Sequence, residues 1–217
     1  MKLAVLDVDG VLVDARSSWR VVHEELGTLR EAEVYARLFW EGRISYADWM
    51  LADTQLWLEA EPRLDRSLLE DILWSRLGVV PDAVEAVERL RGLGFEVALV
   101  SGGLDLVVER VAAELGVRLW VSPRLLFDDK GRLLPGGEPL VEADAKHRWL
   151  IRFARMLGTP LKSVVVIGDT AIDAPMMRLA GCGVAVRPHD EVVVRAAEGR
   201  VAGSVSEAVE LIKSTCL

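Results

Sequence analysis

Hydrophobic positions along the chain follow two different patterns. Leu3 to Leu6 is an uninterrupted apolar run that ends on Asp7-Val8-Asp9-Gly10, the pattern of a buried strand entering a tight turn. From about Ser17 to Leu77 the spacing is helical, β-branched runs are rare, and five of the seven tryptophans (Trp19, Trp40, Trp49, Trp57, Trp74) occur here. Pro81 then opens a helix over Asp82 to Arg91, as proline suits a first helical turn. Beyond it, strands and helices alternate. Phe95–Val100, Arg118–Val121, Ser163–Ile167 and Gly183–Val186 read as strands. Leu104–Leu115, Ala143–Leu157, Ala171–Ala180, Glu191–Ala197 and Val205–Lys213 read as helices. Leu125–Phe127 and Arg132–Leu134 flank Asp128-Asp129-Lys130-Gly131 and predict a small hairpin. The alternation predicts an α/β fold, a parallel sheet with helices on both faces, formed by residues 1–13 and 80–217. Residues 14–79 form an inserted all-helical module.

In open parallel sheets the ligand sits outside the carboxyl ends of the strands, so polar residues at those ends are the candidates for chemistry. Asp7 and Asp9 follow the first strand, Ser101-Gly102-Gly103 the second, and Asp169 and Asp173 the strand ending at Ile167. Lys146 lies near the start of a helix that can reach the same edge, whereas its rival Lys130 occupies a hairpin tip. Several carboxylates in one crevice repel each other unless a cation sits among them, and oxygen ligands of this kind suit magnesium.

Asp7-Val8-Asp9-Gly10-Val11-Leu12, Val100-Ser101-Gly102-Gly103, Lys146 and Gly168-Asp169-Thr170-Ala171-Ile172-Asp173 resemble, in order, the four motifs of the haloacid dehalogenase (HAD) superfamily. The helical insert resembles that superfamily's small cap, and the core is similar to that of phosphoserine phosphatases. The resemblance implies a HAD-like Rossmannoid core with an inserted helical cap, and a magnesium-dependent phosphatase acting on a small phosphomonoester. It makes Asp7 the nucleophile that carries an aspartyl phosphate, and Asp9 the general acid and base. Ser101, Lys146 and the amides of Gly102 and Gly103 would hold the phosphate. Asp7, Asp169, Asp173 and the backbone carbonyl of Asp9 would serve the metal. A phosphatase for sugar, polyol or nucleotide phosphates, a phosphomutase, and a phosphate-binding module without turnover remain alternatives.

The cap departs from the phosphoserine-phosphatase pattern. A glutamate expected shortly after the first motif is replaced by Asp14-Ala15-Arg16-Ser17, and the stretch Trp49 to Asp53 holds no arginine for a substrate carboxylate. Ile172 stands where the family has an asparagine. Arg16 and Arg43, expected near the cavity mouth, suggest a more anionic or sugar-like ester. The tryptophans read first as packing residues, with one or two facing the crevice.

Composition narrows the class. The net charge of −8 argues against a general nucleic-acid binder, and no apolar run reaches the roughly 18 residues of a membrane span. The two cysteines offer neither a disulfide framework nor zinc spacing: Cys182 reads as a buried small residue and Cys216 as a free thiol. A reduced, cytoplasmic protein is expected, with a small-molecule substrate, no nucleic-acid or membrane partner, and a homodimer left open. Asparagine is absent, and arginine supplies 21 of the 26 basic residues; both traits suit a thermophile or a GC-rich genome.

Overall fold

A computed structural model describes residues 2–217. Six strands form one parallel sheet: β1 (Lys2–Leu6), β2 (Phe95–Val100), β3 (Leu119–Val121), β6 (Val164–Gly168), β7 (Cys182–Val186) and β8 (Val201–Ala202), in the order β3-β2-β1-β6-β7-β8. The central strands are apolar on both faces because helices cover both. Ala4 and Leu6 join one core cluster, with α5 (Ala83–Gly92), α6 (Asp105–Glu114) and α10 (Val205–Thr215). Leu3 and Val5 join the other, with α7 (Lys146–Met156), α8 (Ala174–Leu179) and α9 (Glu191–Ala196). The strand order reverses direction at β1, so the carboxyl ends of β1 and β6 flank the crevice where such sheets bind ligands.

Between β1 and α5 the chain builds α1 (Ser18–Glu25), α2 (Leu29–Trp40), α3 (Tyr46–Ala60) and α4 (Arg66–Arg76). Ser45 and Asp48 start α3 with a reciprocal capping box. The insert begins and ends at one place: Val80 N donates to Leu12 O at 2.9 Å, Asp14 N to Gly78 O at 3.1 Å, and Val13 bridges Val79. Trp57, Leu64, Leu69 and Leu73 continue the core cluster of the α5–α6 face into the insert.

Several expectations shift in detail. The hairpin forms as β4 (Arg124–Phe127) and β5 (Leu133–Glu138), longer than expected. It packs on α3 of the insert, where Gly136 N donates to Thr54 Oγ1 at 2.7 Å. β8 was not foreseen, because two residues carry no periodic signal. α7 starts at Lys146 rather than Ala143, and α8 at Ala174 rather than Ala171.

The cysteine expectation is corrected. Cys182 and Cys216 form a disulfide with Cα atoms 6.0 Å apart. The helix of a β–α unit runs antiparallel to its strands, so the end of α10 returns to the first residue of β7. Thirty-four residues of sequence conceal that meeting.

Candidate active site

The strand ends bring the expected acids together. Lys146, the first residue of α7, is 3% exposed, and its Nζ lies 2.6 Å from Asp7 Oδ2 and 2.9 Å from Asp173 Oδ1. Asp7 Oδ1 accepts from Val8 N at 2.7 Å. Asp173 Oδ2 accepts from Asp169 N at 3.1 Å and Thr170 N at 3.4 Å, which closes the turn after β6. Asp7, Asp169 and Asp173 each offer an oxygen, all within 4.8 Å of one another. Burial, followed by Asp173, pushes the Asp7 carboxyl up to about 7. Burial, followed by Asp7, pushes Asp169 to about 8. Burial would lower Lys146, but Asp173 and Asp7 outweigh it and raise its pKa.

One lysine cannot balance this many buried carboxylates, and Asp169 Oδ2 has no hydrogen-bond partner among the described residues. Gly10 adopts φ +77° beside it, and a Cβ there would collide with the Asp169 carboxylate. The donor set is all oxygen, anionic and tightly grouped, and it fits a hard divalent cation such as Mg²⁺.

Asp9 is built differently. Its Oδ2 accepts from Ser18 N at 2.7 Å and Ser18 Oγ at 2.8 Å, while Oδ1 is buried without a partner. Burial raises its pKa and the two Ser18 bonds oppose the rise. Ser18 Oγ also accepts from Leu104 N at 2.8 Å, joining the first motif to the loop after β2. In that loop Ser101 is fully buried, and its Oγ accepts from Gly103 N at 3.0 Å. The loop around Asp9 is held from the far side by Arg187, which donates to Gly10 O and Val11 O, each at 2.9 Å.

These groups line one wall of a cavity of about 220 Å³: Asp7, Asp9, Ser101, Gly102, Gly103 and Lys146. The insert supplies the facing wall, with Trp19, Trp40, Tyr46, Trp49, Met50 and Asp53. Trp19 Nε1 donates to Gly102 O at 3.1 Å and spans the two walls. Arg16 reaches the cavity, its Nη2 2.9 Å from His189 Nδ1, and His189 Nε2 lies 3.7 Å from Asp169 Oδ2. Arg43 does not line the cavity; its side chain is 67% exposed and faces Glu41 at 3.7 Å. Lys130 remains in the exposed hairpin turn, away from the acids.

Sequence reasoning missed Ser18, Arg187 and Asp53. Ser18 and Arg187 reach the site only through tertiary contacts. Asp53 left a signal: it is a carboxylate in helical register with Met50 and Trp57 on the buried face of α3.

The haloacid dehalogenase-like hydrolase family matches residues 1–181. The chain belongs to this family. A phosphoserine phosphatase of Streptococcus thermophilus is 31% identical over 186 residues, covering 84% of this chain and 82% of that protein. One from Archaeoglobus fulgidus is 30% identical over 206 residues, covering 92% of this chain. The chain spans little more than half, 56%, of that relative's length. The fold is shared with a substrate-bound phosphoserine phosphatase complex, at a TM-score of 0.76 and 24% identity, covering 98% of this chain and 97% of the other. This HAD hydrolase is therefore phosphoserine-phosphatase-like in sequence and architecture. Among its described residues, no helix is long and apolar enough to cross a membrane.

Proposed function

We propose that the protein is a magnesium-dependent phosphatase of small phosphomonoesters that works through an aspartyl phosphate on Asp7. One observation carries the reading: Asp9 shares the buried crevice with the Lys146–Asp7 pair, with one oxygen fixed by Ser18 and the other unpartnered. In this reading Asp7 attacks phosphorus, and Asp9 Oδ1 gives its proton to the departing alcohol. The same oxygen then takes a proton from the water that cleaves the acyl phosphate, releasing inorganic phosphate and restoring Asp7. The raised pKa of Asp9 suits the acid role. Ser101, the amides of Gly102 and Gly103, and Lys146 would hold phosphoryl oxygens. Mg²⁺ held by Asp7, Asp169, Asp173 and the carbonyl of Asp9 would offset charge on the transferred group.

Residues 14–79 act in this reading as a cap that opens near Val13–Asp14 and Val79–Pro81. The working compartment is the cytoplasm. The disulfide and the absent asparagines fit a thermophile, where intracellular disulfides are common.

The test is magnesium-dependent phosphate release across a panel of small phosphomonoesters, with phosphoserine, the relatives' substrate, included. Asp7→Asn should lower turnover by about 10⁴-fold or more with the fold intact by circular dichroism. Magnesium-dependent turnover surviving in that variant would overturn the reading.

A further inference from the structure

The cavity wall contributed by α3 carries one buried charge. Asp53 is 4% exposed and borders the cavity on the face of α3 that also holds Met50 and Trp57. Its ionic neighbour is His23, with Nε2 at 3.3 Å from Asp53 Oδ1, and among the described residues no lysine or arginine pairs with it. Trp57 Nε1, which can only donate, lies 3.0 Å from His23 Nδ1, and Thr28 Oγ1 lies 2.7 Å from the same nitrogen. Nδ1 is therefore an acceptor, and the ring carries its proton on Nε2, facing Asp53. A second ring proton would point at the indole N–H. Neither His23 Nε2 nor Asp53 Oδ1 has a hydrogen-bond partner among the described residues, and the neutral imidazole leaves the carboxylate's charge unbalanced.

The space in front of that carboxylate is aromatic. Trp19, Tyr46 and Trp49 share the cavity with Asp53, and Tyr46 and Trp49 meet edge to face at 5.7 Å. A buried carboxylate among ring faces is well matched by a cation, which the ring faces attract as well. The phosphate of a substrate goes to the opposite wall, so the cation belongs on the alcohol portion. A primary ammonium has three N–H groups to satisfy, and this corner offers chiefly one carboxylate and the Tyr46 hydroxyl. An N-methylated ammonium needs no acceptors and is attracted to ring faces.

Resting on the phosphatase reading, we propose that the substrate is the phosphate monoester of a small N-methylated amino alcohol, its cationic head seated between Trp19, Tyr46 and Trp49 and held by Asp53. Asp53 and the aromatic side chains then determine which ester is accepted, while the strand-end residues perform the reaction.

The experiment compares phosphate release from phosphocholine and from 3,3-dimethylbutyl phosphate, its neutral carbon isostere. Phosphoethanolamine, phosphoserine and p-nitrophenyl phosphate are run alongside. Phosphocholine should exceed the isostere in kcat/KM by on the order of thirtyfold, mostly through KM. That ratio should fall to near one in Asp53→Asn and severalfold in Trp49→Leu, which leaves the His23 contacts in place should the first variant not fold. Equal rates for the charged and neutral esters, or preference for phosphoserine over phosphocholine, overturns the proposal. Failure to hydrolyse any ester, p-nitrophenyl phosphate included, would overturn the phosphatase reading instead. Tryptophan fluorescence of Asp7→Asn, titrated with phosphocholine and with the isostere, then decides the cation question: tighter binding of phosphocholine supports it and equal binding overturns it.

Discussion

The two walls of the cavity are built in different ways. The core wall takes Asp7, Asp9 and Ser101 from loops that directly follow strands, so each is positioned by the backbone of a parallel sheet. The facing wall takes Trp19 from α1, Trp40 from α2, and Tyr46, Trp49 and Asp53 from α3. Those side chains are positioned by contacts between elements, such as the Trp19 Nε1 bond to Gly102 O and the Tyr46–Trp49 edge-to-face pair. A strand-end motif can be read and transferred as a unit, whereas a wall made of helix faces depends on how three helices meet. On the proposed function, reaction chemistry resides in the part of the molecule that tolerates change elsewhere, and selectivity in the part that does not.

The division can be broken most sharply at Lys146. Lys146→Met leaves Asp7 and Asp173 facing each other without a cation. It should lower kcat by about 10²–10³-fold and lower the melting temperature as well. Kinetics and a thermal melt on the same preparation check both, and activity within tenfold of the native enzyme would remove Lys146 from the reaction wall.

Ser18 crosses the division, since it belongs to the insert but binds the core acid. Ser18→Ala removes the hydroxyl that donates to Asp9 Oδ2 and accepts from Leu104 N, and should reduce kcat by about tenfold. Because the Ser18 bonds oppose the upward push of burial on Asp9, the limb of the pH–rate profile belonging to Asp9 should move to higher pH. An unchanged profile would confine Ser18 to structural support.

The core wall should also make metal-free protein sensitive to alkali. Asp7 and Asp169 titrate near 7 and 8 in the folded chain, against an ordinary carboxylate value of 3.8. Between those values the folded state holds protons that the unfolded chain has released, so stability falls as pH rises from about 4 to about 8. Melting temperature after chelation should therefore drop across that range. Added Mg²⁺ should restore more at pH 8 than at pH 5, because its ligands must be deprotonated. A flat, metal-independent profile would contradict the cation site.

The smallest effect is expected at Trp40, which is 56% exposed at the cavity mouth. Trp40→Ala should change stability by no more than about 0.5 kcal/mol and KM by a few-fold. A large loss of kcat would show that the aromatic wall takes part in the reaction.

Most of the core wall was legible because its acids and its glycine loop sit in short motifs that directly follow uninterrupted apolar runs, as Asp7 follows Leu3–Leu6. The sheet, the helical insert and the hairpin were legible for the same reason, since periodicity is a local property. The pairing of Asp53 with His23 was not, because their 3.3 Å contact joins two helices thirty residues apart. Arg43 illustrates the opposite error: expected near the cavity mouth, it lies in an exposed turn. α7 starts at Lys146, which lies buried between two carboxylates.

The Cys182–Cys216 link turns the last third of the sheet into a covalent ring that encloses β7, α9, β8 and α10. β7 pairs directly with β6, whose end carries Asp169. On the chain-entropy account, closing a loop of this size removes about 3–4 kcal/mol of conformational freedom from the unfolded ensemble. The stabilisation comes from limiting what the unfolded chain can do rather than from any contact in the folded one. It acts on the strand pair next to β6, whose end carries one of the clustered carboxylates.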